Sequence, residues 1–173
     1  VNRYRIVVLE GPDGSGKTTL ARALEADLGY VVRHEGPPPA DLEDVFEYYA
    51  GKLTLAAFEA MSTGVVLDRF ALGERVYGPL LRGRDRLGDS GWAAMHSCLD
   101  ACGAFRVLCL PPYHRALETW QSRQLEGREF ITSEETFFRT WMEWRTWDLD
   151  RGQVTYDWTD ESAYSRLVSV IRG

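Results

Sequence analysis

Two hydrophobic patterns alternate along the chain. Short unbroken apolar runs stand between longer stretches in which apolar positions recur every three or four residues. The runs read as buried strands and the periodic stretches as helices with one apolar face. Strand one covers about residues 4–10, with Tyr4-Arg5-Ile6-Val7-Val8-Leu9 as its body. Leu20, Ala23, Leu24 and Leu28 then share one helical face. Tyr30-Val31-Val32-Arg33-His34 is strand two, and Pro37-Pro38-Pro39 stops regular structure. Residues 41–62 are helical in pattern, with Gly51 as a point of interruption. Residues 64–68 are strand three, ending at Asp68-Arg69. Gly73, Gly78, Pro79, Gly83 and Gly88 punctuate the next segment, which reads as a loop with short turns. A helix over 90–102, capped by Asp89 or Ser90, leads to strand four at 105–110. Helices over 113–126 and 133–148, strand five at 153–157 and a closing helix at 160–171 complete the reading.

Apolar strands separated by helices imply an α/β protein, a parallel sheet with helices on both faces. Ligands in such sheets bind at the carboxyl ends of the strands. Three segments of interest fall there: the loop after strand one, Glu35 after strand two, and Asp68-Arg69 after strand three.

The loop after strand one is Gly11-Pro12-Asp13-Gly14-Ser15-Gly16-Lys17-Thr18. It has the spacing of a phosphate-binding loop, and its strand–loop–helix setting is the one that the motif requires. Glycines let backbone N–H groups approach phosphate oxygens without a clashing Cβ, and the helix that follows turns its positive end to the anion. Lys17 would meet the β- and γ-phosphates of ATP, and Thr18 would place a hydroxyl on Mg²⁺. Gly11, Asp13, Gly14, Ser15, Gly16, Lys17, Thr18 and Thr19 are therefore the expected nucleotide-binding set. An ordinary glycine-rich turn leaves the Lys-Thr ending unexplained.

Asp68 ends an apolar strand, where an acid can hold Mg²⁺; the alternative is a helix cap. Arg69 suits bidentate binding of phosphate, against a surface salt bridge. Phe70 offers a stacking surface or core packing. Arg123 and Arg128, with Arg115 before them, flank a polar break between two helices. They could close as a lid over the transferring phosphoryl group or form a solvated face. Arg75, Arg82, Arg84 and Arg86 could receive substrate phosphates or belong to a mixed-charge exposed loop. Phe137, Phe138, Trp141, Trp144 and Trp147 follow helical spacing and read chiefly as core. His96, Cys98 and Cys102 read as packing rather than a zinc site. His34 either touches substrate or caps the sheet.

Composition narrows the picture further. The chain of 173 residues is 45% apolar, enough for one domain with a real core. Its 26 acidic and 20 basic residues give a net charge of −6, against broad binding of duplex DNA. Three cysteines are too few for a disulfide framework. No apolar run approaches the length of a membrane span. No signal peptide is expected, and the cytoplasm is the expected compartment.

The run Leu9-Glu10-Gly11-Pro12-Asp13-Gly14-Ser15-Gly16-Lys17-Thr18-Thr19 resembles the opening of thymidylate kinases. Asp68-Arg69-Phe70 resembles that family's second signature. Gly73-Glu74-Arg75-Val76-Tyr77-Gly78 sits where the family has a helix bearing a Tyr near the substrate. The residues around it look like a divergent, phage-type branch of deoxynucleotide kinases. The chain is shorter than typical members. The family's Arg-Glu-Pro-Gly stretch stands here as Arg33-His34-Glu35-Gly36-Pro37, with no arginine in register when Glu35 is aligned. The resemblance implies a phosphate-loop kinase fold with strand order 2-3-1-4-5, a lid at about 113–132, ATP and Mg²⁺, and a homodimer. It also implies that Asp13 reaches the sugar 3′-hydroxyl, Arg69 holds the acceptor phosphate, Phe70 packs on the base and Tyr77 lines the sugar pocket. The apolar helix at 90–102 would supply the dimer interface or simply core.

Three functions follow. The first is transfer of the ATP γ-phosphoryl group to a small-molecule acceptor, a deoxynucleoside monophosphate with thymidylate foremost. The second is phosphorylation of a hydroxyl, on a deoxynucleoside or on a modified base in DNA, with Glu35 as general base. DNA ranks below free nucleotides because of the acidic charge. The third is a nucleotide-binding module without transfer; no Asn-Lys-x-Asp segment marks a regulatory GTPase.

Overall fold

The structure, a computed structural model, describes residues 2–126, 131–147 and 153–173. Five parallel strands, β1 (Ile6–Glu10), β2 (Val31–His34), β3 (Val65–Asp68), β4 (Phe105–Cys109) and β5 (Gln153–Tyr156), form one sheet in the order β2-β3-β1-β4-β5. The order is the expected one. Every residue of β1, β3 and β4 is buried, as strands covered on both faces must be.

Successive β1 side chains point to opposite faces. Ile6 and Val8 pack with Tyr49 and Leu53 of α2 (Val45–Glu59) and with Met95 and Leu99 of α4 (Gly88–Ala101). Val7 and Leu9 pack with Leu20 and Leu24 of α1 (Lys17–Leu28) and Leu167 and Ile171 of α7 (Ala163–Arg172). A third cluster joins α3 (Leu72–Arg82), α5 (Tyr113–Leu125) and α6 (Glu134–Thr146) through Val76, Tyr77, Trp120, Phe137, Trp141 and Trp144. The aromatic stripe is thus mostly core, although Phe138 stands 46% exposed. Met95 and Leu99 likewise turn the helix once considered for a dimer interface toward the core.

Several expectations are corrected. The segment read as a loop after Arg69 contains the helix α3, with Gly73, Gly78 and Pro79 inside it. Tertiary packing overrides the breakers here. Leu72, Val76 and Tyr77 share a buried face, and Pro79 forfeits one N–H bond without ending the helix. Gly78 is required by close approach: a Cβ there would stand 2.7 Å from the Arg84 carbonyl oxygen. Gly51 does not interrupt α2, which runs without a break. Helix α4 begins at Gly88, before the expected caps, because the Asp85 carboxylate accepts from the N–H groups of Leu87 and Gly88. The closing helix begins at Ala163 rather than 160. Among the described residues, no helix is long and apolar enough to cross a membrane.

Candidate active site

The carboxyl ends of β1 and β3 lie side by side, with Leu9 opposite Asp68 in register. This pairing delivers the glycine-rich loop and the Asp-Arg turn to one place. In the loop, Lys17 is buried and its Nζ donates to the carbonyl oxygens of Gly11 at 2.8 Å and Pro12 at 2.6 Å, and to Ser15 Oγ at 3.2 Å. Burial, then the neighbouring Arg69 guanidinium, pushes the Lys17 ammonium below the usual lysine range. A cation held this way on loop carbonyls is poised to exchange them for anionic oxygens. Gly11 lies at φ +142°, and a Cβ there would stand 2.2 Å from the Cys109 carbonyl oxygen. The loop therefore passes against β4 at a separation that admits only glycine. Thr18 and Thr19 are exposed at the start of α1.

Thr18 Oγ1 donates to Asp68 Oδ2 at 2.8 Å, and His34 Nδ1 lies 2.9 Å from the same oxygen. His34 thereby meets the end of β3, bridging two strand ends. Asp68 Oδ1 is buried and, among the described residues, accepts no hydrogen bond. A buried, uncommitted carboxylate oxygen beside a threonine hydroxyl fits a hard divalent cation such as Mg²⁺, which takes a few protein oxygens and completes its shell with phosphate and water. The donor set fits that ion.

Arg69 adopts φ +77°, the sole non-glycine residue with positive φ among the described residues. Such a conformation costs energy in an L-residue and needs support. Its own N–H donates to the Leu9 carbonyl at 3.0 Å, and its Nη2 donates to Asp13 Oδ1 at 2.9 Å. Asp13 Oδ2 and Arg69 Nε have no hydrogen-bond partner among the described residues. The two side chains hold each other while keeping polar atoms for a ligand.

Both line a cavity of about 410 Å³. Its wall includes Gly11, Asp13, Arg69 and Arg123, the aromatic rings of Tyr49, Phe70, Tyr77 and Trp144, and the charged Glu74 and Arg82. Glu35 is buried, lines the same cavity and takes an ion pair from Lys52 at 2.7 Å. Asp13, Glu35, Arg69, Phe70, Tyr77 and Arg123 thus line one cavity. Phe70 is buried against Tyr49 and also lines the cavity. Arg128 and part of the expected lid lie outside the described residues. Arg115 pairs with Glu118 and stacks over Trp158, whose ring stands against the loop at Gly16. The arginines once grouped as a basic cluster are largely committed: Arg75 to Asp85 and Asp89, and Arg82 and Arg86 to Glu74.

Glu10 was missed by sequence reasoning. It is buried, lines the cavity, and accepts a hydrogen bond from the Leu72 N–H at 2.9 Å, so it caps α3 from a distant strand. An acid closing an apolar strand was the available signal. Burial pushes its carboxyl up from 4.5 to about 7, against the backbone N–H groups that favour its ionised form. A raised folded-state value means stability that is complete below about 4.5 and lost as pH rises through about 7. The expected loss is of order 3 kcal/mol across that window. Glu10→Gln, which keeps the acceptor oxygen, should flatten this dependence in urea melts taken from pH 5 to 8. An unchanged slope would assign it to other groups.

No known family profile matches the sequence, and no curated protein matches it significantly. Solved structures do match its fold. The Bacillus subtilis YorR protein, solved in complex with phosphorylated GDP, is 18% identical with a TM-score of 0.69, over 95% of this chain and 91% of that one. Deoxyadenosine kinase from M. mycoides with bound dATP is 11% identical with a TM-score of 0.59, over 98% and 100%. The same enzyme with bound dCTP is 14% identical with a TM-score of 0.57, over 95% and 96%. At these identities the likeness concerns the fold.

Proposed function

We propose that the protein is a nucleotide kinase that transfers the γ-phosphoryl group of ATP to a deoxynucleoside monophosphate, thymidylate or a close relative. The observation that carries this reading is the single cavity joining the phosphate loop to Arg69 and an aromatic-walled chamber. The proteins of similar fold include one solved with a phosphorylated nucleotide and a deoxynucleoside kinase, which supports a nucleotide-directed reaction.

In this reading Lys17 leaves the Gly11 and Pro12 carbonyls for the β- and γ-phosphate oxygens, at little cost because its charge is poorly solvated where it rests. Thr18 and Asp68 hold Mg²⁺, which when bound draws charge from the phosphate oxygens. His34 fixes the Asp68 carboxylate. Arg69 meets the acceptor phosphate, Asp13 orients Arg69 and faces the sugar, and Tyr77 lines the sugar pocket. Arg123, on the cavity wall, neutralises charge on the transferring group, and Arg128 is proposed to assist. A phosphate acceptor is already anionic, so the reaction needs positioning and charge neutralisation rather than a general base.

A second reading draws support from Glu35, a buried carboxylate on the cavity wall, which could serve as base toward a hydroxyl. Its ion pair with Lys52 favours a positioning role instead. The test is ATP consumption with product mass across deoxynucleoside monophosphates, free deoxynucleosides, and DNA with and without hydroxymethylated pyrimidines. Monophosphates are the expected acceptors, and Glu35→Gln should keep transfer within about tenfold of the parent. Transfer only to hydroxyls, with Glu35→Gln losing about 10²-fold or more, would overturn the first reading in favour of the second. ATP binding without transfer to any acceptor would leave a binding module.

A further inference from the structure

Glu10 stands where the alternation of β1 calls for an apolar side chain. Ile6 and Val8 precede it on the same face of the strand and pack into the core. A carboxyl group is costly to bury in such a place, and what it supplies in return is acceptors. The Leu72 N–H donates to Glu10 Oε1 at 2.9 Å. The backbone N–H groups of Phe70 and Gly73 also bond the carboxyl and favour its ionised form. Phe70, Leu72 and Gly73 thus all turn their N–H groups to one side chain of β1.

These groups directly follow Arg69. That residue holds φ +77°, a conformation that costs energy in an L-residue. Before it, the chain is fixed by the pairing of Asp68 with Leu9, and by the Arg69 N–H, which donates to the Leu9 carbonyl at 3.0 Å. After it, the chain is fixed by the Glu10 carboxyl. The last two residues of β1 therefore clamp the turn from both sides, Leu9 through its carbonyl and Glu10 through its side chain. The Arg69 side chain leaves this clamp for the cavity, where its Nη2 meets Asp13 Oδ1 at 2.9 Å. Asp13 holds the tip of the side chain, and the clamp holds its root.

Resting on the proposed role of Arg69 as ligand of the acceptor phosphate, we infer that Glu10 is a positioning residue for transfer: it holds the Asp68-Arg69 turn and so aims the Arg69 guanidinium at that phosphate. Glu10 acts through Arg69. Without its acceptors the N–H groups after Arg69 are released, and the turn relaxes away from the costly φ. The planar fork of a guanidinium binds phosphate only along a set direction, and a misplacement of about 1 Å costs up to about 10²-fold in such a site. The loss falls on the phosphate of the acceptor and spares its sugar and base.

The test is calorimetric binding of dTMP, dGMP, dCMP and dAMP and of the four matching deoxynucleosides. For the tightest pair, the dissociation constant of the nucleoside divided by that of the monophosphate measures what the phosphate contributes. The parent is compared with Glu10→Ala, Glu10→Gln, Arg69→Met and the double variant of Glu10→Ala with Arg69→Met. In the parent the ratio should be about 10 to 100. Glu10→Ala should lower it about tenfold, and Glu10→Gln, which keeps one acceptor oxygen, should lower it less. With Arg69→Met already present, Glu10→Ala should leave the ratio unchanged, as for residues that act through one another. Equal weakening of nucleoside and monophosphate by Glu10→Ala overturns the inference and makes Glu10 a support of the cavity wall. A fall of the same size with and without Arg69 also overturns it. If Glu10→Ala does not fold, Glu10→Gln decides, and an unchanged ratio there overturns it. A ratio lowered by Arg69→Met but by neither Glu10 variant defeats this inference alone. A parent ratio near one, or one that Arg69→Met leaves intact, defeats the role of Arg69 and this inference with it.

Discussion

Lys17→Met is expected to leave the fold standing while lowering kcat/KM for phosphoryl transfer by a factor on the order of 10³. The side chain sits at the junction of the loop and α1, and its ammonium already rests on two carbonyl oxygens and a hydroxyl, the positions from which an anion would displace it. Methionine matches its length without the charge. The melting temperature should move little, because removing a poorly solvated cation offsets the three hydrogen bonds lost. The decisive readout is the rise in melting temperature on adding ATP and Mg²⁺, which follows ligand affinity for the folded state. The parent should show it and Lys17→Met should show much less. An equal rise in both would remove Lys17 from the phosphate site.

Gly11→Ala is expected to damage fold and site together. The alanine Cβ would lie 2.2 Å from the Cys109 carbonyl oxygen and 3.1 Å from Ser15 Oγ, at a φ of +142° that L-residues rarely adopt. The first obstacle is backbone of β4, locked in register with β1, so no side chain can swing away. A loss of about 3 kcal/mol or more follows from strain and overpacking combined. For a chain of this size that is a fall of at least about 6 °C in melting temperature. Urea denaturation of the parent, Gly11→Ala and the control Gly51→Ala, where nothing lies within 4 Å of the added Cβ, measures it. Equal stability of all three would mean that the loop does not pass against β4 as described. The ATP-dependent rise in melting temperature should vanish in Gly11→Ala, because the loop must shift to make room.

The strand–loop–helix opening was legible because its signals are local. An apolar run, a glycine spacing and a helical face each act over a few residues, and β1 and α1 follow within a residue or two. Strands β2 to β5 were legible for the same reason, and their order came from resemblance to a family rather than from periodicity. The loop with Asp13, Glu35 and Asp68-Arg69 were legible from their places at the carboxyl ends of strands, whereas Tyr77 came from the family resemblance and Arg123 from its place beside the polar break between two helices.

Helix α3 was legible only through the family resemblance, which put a helix at residues 73–78, since Gly73, Gly78 and Pro79 are local evidence against it. What sustains it is the burial of Leu72, Val76 and Tyr77, with a cap from Glu10 on another strand. The pairing of Arg69 with Asp13 joins residues 56 apart in the chain, and Glu74, already bonded to Arg82 of its own helix, takes Arg86 only once the chain turns at Gly83. The phosphate-loop pattern could be read without the fold, because the backbone freedom of glycine and the charge of lysine belong to the residues themselves. Which carboxylate each arginine meets, and which arginines also line the cavity, emerged only with the tertiary structure, because both depend on how the helices and loops pack against one another.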